Sequence, residues 1–563
     1  MCGVAAVLGA PEPESTVARM IATMLHRGPD GAGVHVFGAG ALGMCRLRVR
    51  RPGQLALPPA SAGVRVAYNG EVYGTLPARG GPVERVDDEL ALLDGPLERV
   101  DGMWALARPQ ARGLALTRDR WGIRPLYYRP VADGWAVASE VPALIDAFGG
   151  ASASIDAVVE MLAFGAPLSA DTVLQEIHAV PPGAIVELSG DRRAVSPWTD
   201  GGDNEAAPDT RPHCRLERLD GALSVSVERN LAAERPVGVA LSGGLDSTLL
   251  ADTLLRLERR GLVSVSVLVD DASGDGIRSA VELLGPAAAA LGWRHRTTSV
   301  SPDRYLLLLE KVVQAMGYPT RMSSAPLYLA LAEVAARAGV VVLLTGEGAD
   351  ELFLGYQSYT RYFDNPEGAA LDRLERLHFP ERRRAYLARL AGEAQMRRCR
   401  ELYRETARGA LQAPGGPLRA LERSISLRPL LERADVCLMS RGVEGRSPFL
   451  HGDVPAVAAQ FAESDLVSEG IGKRPLRSLA EARRGRHAGS TAKRPFRAPI
   501  RQWLCRHDAA WSATVRKRVH SACRKLDFAE TTADAIVDAA HVDDEAAGLV
   551  GALLAVDAWE AVA

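Results

Sequence analysis

Lysine is scarce in this 563-residue chain, occurring only at positions 311, 473, 493, 517 and 525, and arginine supplies the other basic side chains. The bias reflects a GC-rich genome more than any chemistry, yet it weakens a surface-filling explanation wherever a lysine persists. Neither sign of charge dominates. Lys plus Arg total 67 against 69 Asp plus Glu, so no global basic field points to nucleic acid as a partner. No run of about 18 apolar residues occurs, which argues against a membrane span. Met1-Cys2-Gly3 is not followed by a basic-then-apolar leader, so no secretory signal is expected. The seven cysteines (2, 45, 214, 399, 437, 505 and 523) are odd in number and form no CxxC pair. A disulfide framework or zinc site is therefore not expected, and a reducing cytoplasm fits. Apolar residues at 47% and charged residues at 24% exclude a disordered chain. The length suggests about three or four domains of ordinary size, or two large ones.

Residues 2–200 read as short strands punctuated by Gly and Pro: Gly3–Leu8, Val34–Phe37, Val64–Tyr68, Trp104–Ala107, Leu114–Thr117, Leu126–Tyr128 and Trp135–Ala138. One helical pattern, Ser15–Leu25 with Ser15 as N-cap, interrupts them, so stacked sheets with some helical cover are expected. Ser196–Arg211 is polar and rich in Gly, Pro and Asp, the best linker in the chain. Beyond it, β-rich runs at Val237–Leu241, Val263–Val269 and Gly339–Leu344 alternate with helical patterns. That alternation predicts a parallel, doubly wound α/β sheet. From about residue 367 the pattern is almost wholly helical.

Pro236–Thr248 reads as a strand, a glycine turn and a helix start. Gly243 and Gly244 let the backbone approach an anion while the new helix offers free N–H groups, and Ser242, Ser247 and Thr248 add hydroxyls. No lysine follows, so this is not the G-x-x-x-x-G-K-[ST] phosphate loop. A second turn, Thr345-Gly346-Glu347-Gly348-Ala349-Asp350-Glu351, groups three carboxylates at another strand's C-terminal edge, where parallel sheets bind ligands. Asp246 and Asp350 are candidates to share a Mg²⁺ that also holds phosphate oxygens; taken alone, these acids would read as helix N-terminal charges. Lys473 and Lys493 are candidates to neutralise a departing phosphate, against a plain solvated basic face.

Removal of Met1 would leave the Cys2 thiol beside a free α-amine whose reference pKa of about 7.7–8 suits it to act as base. Asn69 and the N–H of Gly70 could form an oxyanion hole, and Arg46 could fork a carboxylate. The commoner use of Asn-Gly is a tight hairpin turn.

Together these residues resemble the glutamine-hydrolysing asparagine synthetase family over nearly the whole chain. Met1-Cys2-Gly3, His26–Asp30, Asn69-Gly70-Glu71, Arg118–Leu126 and Ala138–Glu140 resemble its class II glutamine amidotransferase part. Leu241–Ser247, Gly346–Glu351 and Glu444–Leu450 resemble its synthetase part, with the SGGxDS pyrophosphate loop. The resemblance implies an N-terminal-nucleophile αββα sandwich over 2–200, a linker over 201–211 and an ATP-pyrophosphatase unit with a helical C-terminal part over 212–563. It implies that Cys2 attacks glutamine, that Arg46 binds the α-carboxylate and that Glu71 and Asp87 bind the α-amine. It further implies ammonia channelling, ATP and Mg²⁺ as cofactors, and adenylation of a carboxylate acceptor. Leu241, Ser242, Gly243, Gly244, Asp246, Ser247, Gly346 and Lys473 would hold ATP and pyrophosphate, Asp246 and Asp350 the metal, and Glu347 would serve ammonia attack. A cytoplasmic homodimer is expected.

Three departures accompany the resemblance. The chain is short between Tyr73 and Asp87. Met322 falls where classical members often carry arginine, and His451 replaces the acid that usually ends Pro-Phe-Leu-Asp. The default product is asparagine from aspartate. The rivals are amidation of another carboxylate in specialised metabolism, a β-lactam- or macrolactam-forming cyclase, and a non-catalytic regulatory homologue. The intact Cys2, Arg46 and Asn69–Glu71 set argues against the cyclase.

Overall fold

The computed structural model describes all residues except 1, 51–56, 78–82, 84–85, 170, 200–211, 270, 365–366, 486–495, 507–508 and 560–563. Thirteen strands precede residue 200: β1 (Cys2–Leu8), β2 (Ala32–Phe37), β3 (Gly40–Arg46), β4 (Ala60–Ser61), β5 (Val64–Arg65), β6 (Ala67–Thr75), β7 (Val100–Gln110), β8 (Gly113–Arg118), β9 (Tyr127–Val131), β10 (Gly134–Ala138), β11 (His178–Ala179), β12 (Ala184–Ser189) and β13 (Arg192–Pro197). They form two antiparallel sheets in the orders β11-β9-β10-β1-β3-β2 and β13-β12-β8-β7-β6, and β4 and β5 pair separately.

Side chains alternate across β1, as a pleated strand requires. Val4 and Ala6 join a core with Ala105, Ala107, Leu114 and Leu116 of the other sheet. Ala5 and Val7 face the opposite way, into a core that includes Val17, Met20 and Ile21 of helix Pro13–Thr23. The second sheet's far face buries Val66, Tyr68 and Trp104 with Leu90 of helix Val86–Leu93. Helix, sheet, sheet and helix thus stack as the expected αββα sandwich.

The third sheet is parallel throughout: β14 (Val237–Ala240), β15 (Val263–Leu268), β16 (Arg294–Ser299), β17 (Val342–Leu344) and β18 (Glu444–Arg446), in the order β16-β15-β14-β17-β18. From β14 the chain winds outward to β16, then returns to place β17 on the other side of β14. The reversal between β14 and β17 is a topological switch point, where loops at the carboxyl ends diverge and leave a crevice. From Ala370 to Ala558 helices carry the chain, apart from β18.

Some local expectations are corrected. The first helix starts at Pro13, and Ser15 lies inside it rather than capping it, because proline's fixed φ suits the first helical position. Asn69-Gly70 is no hairpin turn: both residues lie within β6, opposite Ala105 and Trp104. Val64–Tyr68 is divided between β5 and β6. Residues 200–211 of the linker and Lys493 lie outside the described residues. The seven cysteines are unpaired. Among the described residues no helix is long and apolar enough to cross a membrane.

Candidate functional site: two centres joined by a charged seam

Cys2 opens β1 directly opposite Arg46, the last residue of β3. Its backbone N–H donates to Asn69 Oδ1 at 2.9 Å, which ties the two sheets together at Cys2. Burial pushes the thiol up, and the Arg46 charge pulls it back. Asn69 is fully buried and its Nδ2 has no hydrogen-bond partner among the described residues. A buried amide N–H without an acceptor is costly, so this orphan donor suits a developing oxyanion. Glycine is required at position 70, since a Cβ would stand 2.3 Å from the Met103 carbonyl oxygen.

Arg27, with no exposed surface, donates from Nε to the Cys2 carbonyl at 3.2 Å. It pairs with Glu140 at 2.8 Å and, across to the second half, with Asp435 at 2.7 Å. The His26–Asp30 and Ala138–Glu140 motifs therefore meet behind the nucleophile. Glu71 lies on the same strand as Asn69 and faces Arg50 Nε at 2.6 Å and Arg446 Nη2 at 3.7 Å. Asp87 sits on the exposed face of helix Val86–Leu93, whereas Glu89 is buried and faces Arg50 at 3.3 Å and the Tyr68 hydroxyl at 3.1 Å. Burial and the neighbouring Glu71 push Glu89 up to about 8.

The second centre occupies the switch-point crevice. After β14, Ser242 N–H donates to Ser247 Oγ at 3.2 Å, and Ser247 Oγ donates to Gly244 O at 3.1 Å. These bonds fold the loop back over the start of helix Leu245–Arg256. Gly243 takes φ +75°, and a Cβ there would meet the Gly276 backbone at 2.3 Å. After β17, Gly346 passes so close to Asp246 that its Cβ would lie 3.0 Å from that of Asp246.

Lys473 reaches the crevice from the start of helix Arg474–Arg484. Its Nζ stands 2.6 Å from both Asp246 oxygens and 2.8 Å from Asp350 Oδ1. Burial opposes its charge, but the two carboxylates outweigh that and raise its pKa. Two carboxylates converging on one cation suit Mg²⁺, which takes one or two carboxylates and completes its shell with phosphate oxygens and water. No cluster of three or more acidic, His or Cys ligands occurs among the described residues, so phosphate oxygens would have to complete it.

A cavity of about 470 Å³ joins the Ser242–Ser247 loop, Lys473, Glu347 and Met322, the residue that stands where classical members often carry arginine. Arg433 anchors its far wall by donating to Glu347 Oε1 at 2.6 Å and Ser324 Oγ at 2.5 Å, with its guanidinium 3.9 Å over the Tyr328 ring. The Tyr328 hydroxyl also donates to Glu347. Phe164, the last residue of the helix Ile155–Phe164 between β10 and β11, also lines this cavity, as does Phe496. Sequence reasoning missed Arg50, Glu89, Arg433 and Asp435. Each gains its place through tertiary pairing, and an arginine among many carries no local signal.

Edge strand β18 docks between the centres. Glu444 and Arg446 have no exposed surface and pair at 2.6 Å. Burial alone would raise the Glu444 carboxyl, but Arg446 holds it down at about 2. His451 faces Asp101 of β7 at 3.3 Å, Gly452 N–H reaches both Asp101 oxygens at 3.1 Å, and Arg229 stands at 3.2 Å. Despite burial, these partners keep Asp101 below the ordinary carboxylate range. The acid missing at 451 is thus replaced by a histidine that pairs across the seam.

Residues 1–79 and 94–199 match the glutamine amidotransferase domain family, and residues 218–559 match asparagine synthase. A Mycobacterium tuberculosis protein whose name assigns it, provisionally, as a glutamine-hydrolysing asparagine synthetase is 30% identical over 90% of this chain and 88% of its own length. Glutamine-hydrolysing asparagine synthetase 1 of Bacillus subtilis is 26% identical, over 91% of this chain and 89% of its own. An Arabidopsis thaliana glutamine-hydrolysing asparagine synthetase is 29% identical over 63% of this chain and 61% of its own. The matched domains imply an enzyme that uses glutamine and ATP. By these two domain matches and the 30% identity over most of its length, the chain belongs to the glutamine-hydrolysing asparagine synthetase family.

Proposed function

We propose that the chain is a cytoplasmic, homodimeric amide-forming ligase, with a glutaminase unit over 2–200, a connector over 201–211 and a synthetase unit over 212–563. By default it converts aspartate to asparagine. Once Met1 is removed, Arg46 holds glutamine's α-carboxylate, and Glu71, with Asp87, takes its α-ammonium. Cys2 Sγ attacks the side-chain carbonyl while its α-amine accepts the thiol proton. Asn69 Nδ2 and the Gly70 N–H hold the oxyanion. Collapse expels ammonia and leaves a thioester that water hydrolyses to glutamate.

At the second centre a carboxylate oxygen attacks the α-phosphorus of ATP, giving an acyl adenylate and pyrophosphate. Ammonia channelled from the first centre then attacks the acyl carbon, and AMP leaves with the C–O bond electrons. Leu241–Ser247 and Gly346 cradle the phosphates at a helix N-terminus, and Lys473 neutralises the departing charge. Glu347, held by Arg433, is positioned to take the proton that ammonia sheds. Asp246 and Asp350 would hold Mg²⁺, which when bound screens the phosphate oxygens and orients the pyrophosphate.

The observation that carries this reading is the single cavity that unites the phosphate loop, Lys473 and Glu347. The Glu347–Arg433 pair supports an amino-acid acceptor, since it offers one partner to each charge of a zwitterion. A second reading, amidation of a different carboxylate, is favoured by the apolar wall of Met322, Phe164 and Phe496 in that cavity. The test is pyrophosphate release with ATP, Mg²⁺ and glutamine, with L-aspartate or without added acceptor. Aspartate-dependent release with asparagine formed supports the default. Silence with aspartate, in protein that still hydrolyses glutamine, selects the second reading.

A further inference from the structure

Glu71, which the proposed function assigns to glutamine's α-ammonium, already has cations beside it. Arg50 Nε stands 2.6 Å from Oε2, and Arg446 Nη2 stands 3.7 Å from Oε1. Both arginines are held through Nε and Nη1 and keep a buried Nη2 without a hydrogen-bond partner among the described residues, but they differ in their carboxylates: Arg446 pairs with Glu444, whereas Arg50 stands between Glu71 and Glu89. Arg446 is locked by Glu444 at 2.6 Å, the Asn230 carbonyl at 2.6 Å and the Ala232 carbonyl at 3.1 Å. Arg50 is also tied to the Ala232 carbonyl, at 3.0 Å, and to the Val83 carbonyl. Its contact with Glu71 is ionic without a directed hydrogen bond. Glu71 Oε2 and Arg50 Nη2 are both buried polar atoms without a hydrogen-bond partner among the described residues.

Arg50 Nη1 already donates a hydrogen bond to a second carboxylate, Glu89 Oε1, at 3.3 Å. Glu89 is itself pushed up to about 8 by burial and by Glu71, so a guanidinium that turned further toward it would stabilise its charged form. Near neutrality Glu71 and Glu444 are balanced by Arg50 and Arg446. An incoming ammonium then meets no net negative charge unless one guanidinium draws back from Glu71, and Arg50 is the one that contacts Glu71 closely and keeps a second carboxylate, Glu89, when it does.

We infer that Arg50 is a positioning residue that competes with the substrate: it holds the Glu71 carboxylate in the place of glutamine's α-ammonium and gives it up to that ammonium when glutamine binds, keeping Glu89 as its own partner, so it sets the KM for glutamine. The inference rests on the assignment of Glu71 to the α-ammonium.

The test is steady-state glutaminase kinetics of the full chain and of Arg50→Gln. The substrates are glutamine and its analogue without the α-amine, the monoamide of glutaric acid. Removing a competing cation lowers KM for glutamine about five- to tenfold, leaves kcat unchanged, and widens the kcat/KM preference for glutamine over the monoamide by the same factor. A merely structural arginine would raise KM or lower kcat on removal. An unchanged or raised KM with an unchanged preference overturns the inference.

If Arg50→Gln does not fold, the unaltered chain still decides. A Glu71 shared with Arg50 predicts a preference for glutamine over the monoamide below about tenfold, since a fully engaged charged hydrogen bond contributes about 1.5–3 kcal/mol; a larger preference overturns it. Glu71→Gln separates the two levels. If that change leaves the preference untouched, the assignment of Glu71 fails, and the inference fails with it.

Discussion

Asp435 offers the sharpest test of how the halves depend on each other. It lies on helix Arg428–Met439 and is almost fully buried. One oxygen takes Arg27 Nη2 at 2.7 Å and the other takes Arg124 Nη1 at 2.9 Å. Arg27 keeps Glu140 if Asp435 is removed. Arg124 keeps the Gly445 carbonyl and the Met103 sulfur as side-chain hydrogen-bond partners. The substitution Asp435→Leu therefore removes Arg124's ion-pair partner and leaves its buried charge to the neighbouring Glu444 and Asp119 alone, a loss of up to about 3–5 kcal/mol. At about 1.4 kcal/mol per tenfold, the lower end is roughly a 150-fold shift toward the unfolded form.

Pulse proteolysis across a urea series would measure it. Because Arg27 also holds the Cys2 carbonyl, glutaminase activity should fall in the surviving folded fraction more than ammonia-dependent synthesis does. Adding Arg124→Met to Asp435→Leu should recover part of the loss, since it removes the stranded charge. A cost under about 0.5 kcal/mol, within the ordinary range for surface substitutions, would refute the reasoning.

Three further outcomes are expected. Cys2→Ala should abolish glutamine-dependent amide formation and leave the ammonium-dependent reaction, which product analysis with each nitrogen donor would check. Asp246→Asn should abolish pyrophosphate release, because it weakens both the Lys473 pair and the metal site, while basal glutaminase persists; pyrophosphate release at the full rate would contradict the assignment. Glu444, held down at about 2 against an ordinary 4.5, contributes stability that is fully present above about pH 4.5. That contribution is lost as pH falls toward 2. Glu444→Gln should flatten the acid limb of the stability curve between those values, read from urea midpoints at stepped pH.

The sandwich and the parallel sheet were legible because period-two alternation and strand–helix alternation are local signals. Strand β3 was not, because Gly40-Ala-Leu-Gly-Met-Cys-Arg46 pairs by backbone while Gly43 admits Val17 and Ile21 of the covering helix. Strand β16, Arg294–Ser299, is a polar sheet edge and shows no hydrophobic alternation. Asn69-Gly70 misleads because the glycine that suits a turn serves here as a close approach to Trp104. At the phosphate loop, glycines and hydroxyls carry their purpose in their spacing. The seam of Arg27, Arg124, Asp435 and Arg446 does not, since buried charges are paired by tertiary contact and sequence separation hides the partner.

The central claim is that nitrogen from glutamine ends on a carboxylate activated by ATP in the same chain. The most direct measurement supplies amide-nitrogen-labelled glutamine with ATP, Mg²⁺ and L-aspartate in the presence of unlabelled ammonium. Product labelling is followed by mass alongside AMP and pyrophosphate. The account predicts labelled asparagine in step with equal AMP and pyrophosphate. Glutamine hydrolysis with no pyrophosphate, for aspartate and for a panel of other carboxylates alike, would contradict it.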